Sequence, residues 1–138
     1  MPESLHANWK PSSFDSTKIY YEYFLCENST ASVVIVHGLS EFTKKYYEMA
    51  KYLLDQGYNV FLYDQRCHGL SDRLTKEKNT IHVKSYNHYS KDLEWYIDNI
   101  VLKADEKPIY IYSHSMGGAV AANYLTKENC KAEKAVLS

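Results

Sequence analysis

The run Lys107-Pro108-Ile109-Tyr110-Ile111-Tyr112-Ser113-His114-Ser115-Met116-Gly117-Gly118-Ala119 decides the fold. A short apolar stretch opened by proline reads as a buried strand, and the small residues after Ser115 read as the start of a helix. Between the two, the chain must turn sharply through one serine. Such a turn holds the serine at a strained backbone position, lifts its hydroxyl above the sheet and aims the first free N–H groups of the helix at the same point. Serine and glycine are also ordinary turn residues. The strand before Ser115 and the alanine-rich helix after it separate a nucleophile elbow from a common turn.

Working outward, Val33-Val34-Ile35-Val36 and Val60-Phe61-Leu62-Tyr63 are continuous apolar runs, the pattern of parallel strands buried on both faces. Tyr46, Ala50, Leu53 and Leu54 fall at helical spacing between them, and Gly57 stands where a left-handed cap would stop that helix. Tyr86, Tyr89, Leu93, Tyr96, Ile97, Ile100 and Val101 predict a second helix, with Ser85 as its N-cap. Ala132 to Leu137 opens a further apolar strand. Upstream, residues 9–14 and 18–26 flank Asp15-Ser16-Thr17 and predict an antiparallel hairpin at one sheet edge. Residues 71–83 are polar and pattern-poor, which predicts a surface connection. The fold class expected is α/β, a mostly parallel sheet with helices on both faces and a site built by loops at the carboxyl strand ends.

At 138 residues the chain fills one domain at most. Its formal net charge of −1 comes from acids and bases spread along the whole sequence, so no basic surface for nucleic acid is expected. No apolar run reaches membrane-spanning length and no export pattern opens the chain, which sets the cytoplasm as the expected compartment. Cys26, Cys67 and Cys130 are expected as free thiols. The histidines show no metal-ligand spacing, and no cofactor is expected. The fourteen tyrosines read as packing residues with a polar tip.

A serine hydroxyl becomes competent for acyl transfer when a base takes its proton and donors stabilise the oxyanion. Ser115 is the expected nucleophile. The main-chain N–H groups of Met116, at the helix start, and of Leu39, just after His37-Gly38 at a neighbouring strand end, are the expected oxyanion donors. His114 adjoins the serine on a tight turn and projects away from it. His37 and His68 are expected to organise loops above the sheet. Asp64 and Asp72 precede the serine, whereas hydrolases of this architecture run serine, acid, histidine; Asp64 is expected to ion-pair with Arg66. After Ser115 there is neither an aspartate nor a histidine.

Three motifs agree in order and spacing: His37-Gly38-Leu39-Ser40-Glu41 with Tyr46 following, Tyr63-Asp64-Gln65-Arg66-Cys67-His68-Gly69-Leu70-Ser71-Asp72, and His114-Ser115-Met116-Gly117-Gly118. Together they resemble the α/β-hydrolase superfamily, and within it the monoacylglycerol lipase and lysophospholipase group of serine aminopeptidase-like hydrolases. The resemblance runs from about Trp9 to Ser138 and corresponds to the first half of a family member. It implies hydrolysis of a carboxylic ester in a lipid-like substrate through an acyl-enzyme. Ser113 departs from the family's glycine or alanine, Cys67 from the glycine of its Arg-Gly-His-Gly loop, and Phe42 from a frequent histidine.

Residues 1–138 are accordingly expected to form the N-terminal part of a single hydrolase domain, inactive alone. The cap, acid and histidine would come from elsewhere, including from a separately encoded C-terminal half. Exposed apolar sheet would make the isolated chain associate. The alternative is a non-catalytic binding module, or degenerate gene product, that keeps the hydrolase outline without its chemistry.

Overall fold

A computed structural model of the chain describes residues 5–11, 15–72 and 87–138. Six strands form one sheet: β1 (Leu5–Pro11), β2 (Lys18–Phe24), β3 (Ala31–Val36), β4 (Tyr58–Tyr63), β5 (Ile109–Ser113) and β6 (Ala132–Leu137), in spatial order β1-β2-β4-β3-β5-β6. β1 pairs antiparallel with β2, and β2 antiparallel with β4. The other pairings are parallel, with Val33 beside Val60 and Val36 beside Ser113. The expected hairpin is present at the edge, but β1 starts at Leu5 and ends at Pro11, earlier than the aromatic pattern suggested. Every residue of β1 is exposed, so no buried face marks its ends.

Helix α1 (Tyr47–Asp55) follows a 3₁₀ turn over Thr43–Tyr46 and ends at Gly57, whose φ of +92° is the left-handed geometry that the sequence placed there. Helix α2 (Asn87–Tyr96) passes into a π-helical stretch, Ile97–Val101, and then the short α3 (Leu102–Ala104). The widened turn keeps Ile97, Ile100 and Val101 buried together, a shift that 3.6-residue periodicity does not reveal. The proposed cap Ser85 and most of the predicted 71–83 connection lie outside the described residues. Helix α4 (Met116–Leu125) leaves β5 directly.

Strand alternation divides the core in two. Val34, Val36, Phe61, Tyr63, Ile109 and Ile111 face α2, the π turn and α4. Val33, Ile35, Val60 and Leu62 face α1 and Tyr46. Right-handed crossovers account for the split, since β3-to-β4 and β4-to-β5 run in opposite directions along the sheet. Most tyrosines pack as expected, with Tyr63, Tyr96 and Tyr124 almost fully buried, while Tyr52 is exposed. All three cysteines are free. No helix among the described residues is long and apolar enough to cross a membrane.

Candidate active site

Ser115 stands between β5 and α4 as the helix N-cap, exposed, with φ 54° and ψ −121°. A non-glycine residue avoids that combination because its β-carbon crowds the backbone. Its persistence means that the surroundings hold it in place. Three contacts do so. The Ser115 N–H donates to the Ser138 carbonyl at 3.0 Å, the Gly117 N–H to His114 O at 2.9 Å and the Gly118 N–H to Ser115 O at 2.9 Å. Ser113, below, is fully buried and donates its hydroxyl to Val136 O at 3.2 Å, so this departure from the family's small residue is satisfied.

Gly38 packs against the elbow: a β-carbon on it would lie 3.3 Å from Ser115 Cβ and 3.2 Å from His114 O. The loop carrying Leu39 therefore borders the serine. Met116 is the first residue of α4, where helical N–H groups lack partners in their own helix. Neither the Leu39 nor the Met116 N–H has a hydrogen-bond partner among the described residues.

Behind this rim the loop is held by buried polar groups. The Gln65 N–H donates to His37 Nε2 at 2.9 Å, so that nitrogen is unprotonated and Nδ1 carries the hydrogen donated to Gly38 O at 2.8 Å. Burial lowers the His37 pKa to about 4. His37 thus works as a neutral brace, with both ring nitrogens engaged. His68 packs its ring 5.0 Å from that of His37, and its Nδ1 lies 3.0 Å from Arg66 O, so it too braces a loop. His114 is exposed on the turn beside Ser115.

Glu41 was legible as part of a motif but not as a clamp. Its Oε1 accepts the Gly38 N–H at 2.6 Å and the Tyr46 hydroxyl at 2.7 Å, while Lys45 pairs with Oε2 at 2.5 Å. Burial pushes this carboxyl up, but Lys45, Tyr46 and the Gly38 N–H outweigh it and bring the pKa down to about 2. The signal lay in the spacing of Glu41, Lys45 and Tyr46, which one turn brings to the same place.

The expected Asp64–Arg66 pairing is corrected by the structure. Asp64 accepts the main-chain N–H groups of Thr43 and Leu70 at 2.8 and 2.9 Å, which ties two loops together. Arg66 turns the other way, to Asp92 on α2 through Nε at 2.6 Å and Nη2 at 2.8 Å, and to Asp15 through Nη1 at 3.0 Å. Its guanidinium is completely buried, where a single carboxylate exposed to solvent could not compensate desolvation. Asp92 belongs to a helix that the sequence read only for its apolar stripe. Ser71 is likewise buried rather than superficial: it donates to Asp64 O and accepts the Tyr20 N–H at 2.8 Å. Cys67 occupies φ 67°, the left-handed geometry that explains glycine at this position in the family pattern. No cluster of metal-ligating side chains is present among the described residues.

The family model for serine aminopeptidase, S33, of the Hydrolase_4 group, matches residues 27–138, from the turn before β3 to the end of β6. The chain belongs to this α/β-hydrolase family. It is 29% identical over 127 residues to a monoglyceride lipase of Saccharomyces cerevisiae, covering 88% of this chain and 39% of that protein. It is 32% identical over 113 residues to lysophospholipase L2 of Escherichia coli K12, covering 82% of this chain and 33% of the relative. Among solved structures, a soluble variant of the S. cerevisiae monoglyceride lipase in complex with a substrate analogue superposes with a TM-score of 0.79 at 25% identity, over 99% of this chain and 45% of that one. A thermostable carboxyl esterase from Bacillus coagulans superposes with a TM-score of 0.84 at 19% identity, over 99% of this chain and 44% of the esterase. The chain therefore spans less than half of each of these proteins.

Proposed function

We propose that this chain carries the nucleophile and oxyanion elements of a carboxylic-ester hydrolase of the monoacylglycerol lipase and lysophospholipase type, acting on a lipid-like ester in the cytoplasm. The observation that carries the reading is the strained, exposed Ser115 at the head of α4 with the Gly38–Leu39 loop against it. In the proposed reaction Ser115 Oγ attacks the ester carbonyl carbon and loses its proton to a general base. The carbonyl oxygen becomes an oxyanion held by the Leu39 and Met116 N–H groups. Collapse expels the alcohol, which takes a proton, and leaves an acyl-enzyme that water hydrolyses. The base and its acid partner are contributed by polypeptide other than the described residues, because both nitrogens of His37 are already engaged and His114 adjoins the nucleophile.

That engagement also favours a second reading, a binding module that keeps the hydrolase outline without turnover. An assay with a monoacylglycerol and a short-chain aryl ester separates the two. The chain alone is expected to hydrolyse neither above a Ser115→Ala control, since loss of the base costs on the order of 10⁶ in turnover. Supplied with the C-terminal part of a related hydrolase, it is expected to gain turnover that Ser115→Ala abolishes. Turnover by the chain alone that depends on Ser115 would place a base among its own residues, and a bound complex without turnover would favour the binding module.

A further inference from the structure

A second concave site lies at the β1 edge of the sheet, far from the elbow. The strand order puts β2, β4 and β3 between β1 and β5, four strand spacings or about 19 Å. On β1, His6, Asn8 and Lys10 stand opposite Tyr23, Tyr21 and Ile19 of β2, so all six share the face on which α2 packs. The helix covers Tyr21, whose ring lies 5.7 Å from that of Tyr96, but stops short of β1, every residue of which is exposed. A groove is left between strand and helix.

Its inner lobe, about 200 Å³, has Tyr21 and Tyr23 as its floor, Lys10 on one wall, and Asn99 and Lys103 on the other. An outer lobe of about 370 Å³ continues from the same two tyrosines past His6 and Asn8. His6 stacks on Tyr23 with ring centroids 4.6 Å apart and planes 10° apart, which fixes the floor in place. The far wall is the π turn itself, and interruptions of this kind in a helix are frequent at ligand sites. Asn99 donates its side-chain amide to Trp95 O at 3.0 Å, which leaves its Oδ1 as an acceptor.

The charge of the groove is one-sided. No carboxylate lines either lobe among the described residues. Lys10 and Lys103 make no ion pair there, although the lysines at 45, 127 and 131 each hold a carboxylate. Two ammonium groups around one small lobe match a dianion better than a single carboxylate. A phosphate monoester carries about −1.5 to −2 charges at pH 7. Asn99 Oδ1 and the Tyr23 hydroxyl, which has no hydrogen-bond partner among the described residues, suit the hydroxyl groups of a polyol attached to it.

We infer that the groove between β1 and the π turn is a second ligand site, in which Lys10 and Lys103 hold the phosphate of a phosphorylated polyol. The inference is independent of hydrolysis at Ser115. The phosphate comes either from a soluble metabolite or from the headgroup of a lipid such as phosphatidic acid, and the two sources are separable by experiment.

Calorimetric titration of the full 138-residue chain with glycerol 3-phosphate, with glycerol and sulfate as controls, tests the soluble source. Flotation with phosphatidylcholine vesicles, with and without phosphatidic acid, tests the lipid. Saturable binding of one or both phosphate probes is expected, with new amide hydrogen-exchange protection at residues 5–11 and 97–104. Lys10→Gln and Lys103→Gln are each expected to weaken it by about threefold or more, and the double variant by about tenfold or more. Lys51→Gln, which removes the same charge from the exposed face of α1, is expected to change it by less than about twofold. Thermal unfolding of all these variants should match the parent chain, since the substituted lysines are exposed. Binding of neither probe, sulfate binding as tightly as the phosphate ester, protection confined to another face, or an equal loss in Lys51→Gln would overturn the proposal.

Discussion

Gly117 lies so close above Val36 that a β-carbon on it would stand 2.3 Å from the Val36 carbonyl oxygen and 2.5 Å from that of His37. Both obstacles are backbone of a buried strand end, which cannot swing aside as a flexible side chain would. The first turn of α4 therefore sits directly on the end of β3, and this contact keeps the elbow beside the Gly38–Leu39 loop. Gly117→Ala is expected to destabilise the fold by about 2–3 kcal/mol, the upper part of the overpacking range. Urea unfolding followed by circular dichroism measures it; a loss below about 0.5 kcal/mol would mean that the two elements are not in this contact.

Strain at Ser115 makes a separate prediction. Because φ is 54° there, glycine relieves the steric conflict of the β-carbon and alanine retains it. Ser115→Gly is expected to be more stable than Ser115→Ala by about 1 kcal/mol, although glycine loses more freedom on folding. A reversed order in thermal unfolding would show that the turn is relaxed.

The Arg66 network predicts unequal costs for its two carboxylates. Asp92→Ala leaves a fully buried guanidinium short of its bidentate partner and is expected to cost about 3–5 kcal/mol. Asp15, with its side chain 34% exposed, shares its charge with solvent, and Asp15→Asn is expected to cost about 1 kcal/mol or less. Chemical denaturation of the two variants under one buffer compares them directly.

Acid should loosen the oxyanion loop in two steps. His37 has a folded pKa near 4 against an ordinary 6.5, so between these values the unfolded chain binds the extra proton. The stability His37 contributes is complete above about pH 6.5 and is lost as pH falls toward 4. Glu41, near 2 in the fold against 4.5, contributes fully above about pH 4.5 and loses its share as pH falls toward 2. A His37→Gln variant is expected to show a flatter stability profile between pH 6.5 and 4, whereas a Glu41→Gln variant flattens the profile below 4.5. Coincident profiles for wild type and His37→Gln would remove His37 as the titrating group.

Much of this architecture was open to reading along the chain because its signals are local. Apolar runs such as Val33 to Val36 mark strands buried on both faces, Gly57 supplies a left-handed cap, and Ser113 to Gly118 combine strand, turn and helix within six residues. Periodicity could not reveal the π turn at Ile97–Val101, which arises from how that helix seats its apolar residues on the sheet. Nor could it give the ends of β1, whose residues have no buried face to set a pattern.

Sequence alone determined the α/β class, the order of elements and the identity of the candidate nucleophile, since each follows from residues close together in the chain. Tertiary structure decided the partners of the charged groups. Arg66 reaches Asp92 across 26 positions, Asp64 holds the Thr43 and Leu70 N–H groups, and Glu41 clamps Gly38 from within a loop whose path the sheet sets. A buried charge takes whichever partner the packed backbone brings within hydrogen-bond reach, and the neighbour in sequence has no advantage unless the chain turns back upon it.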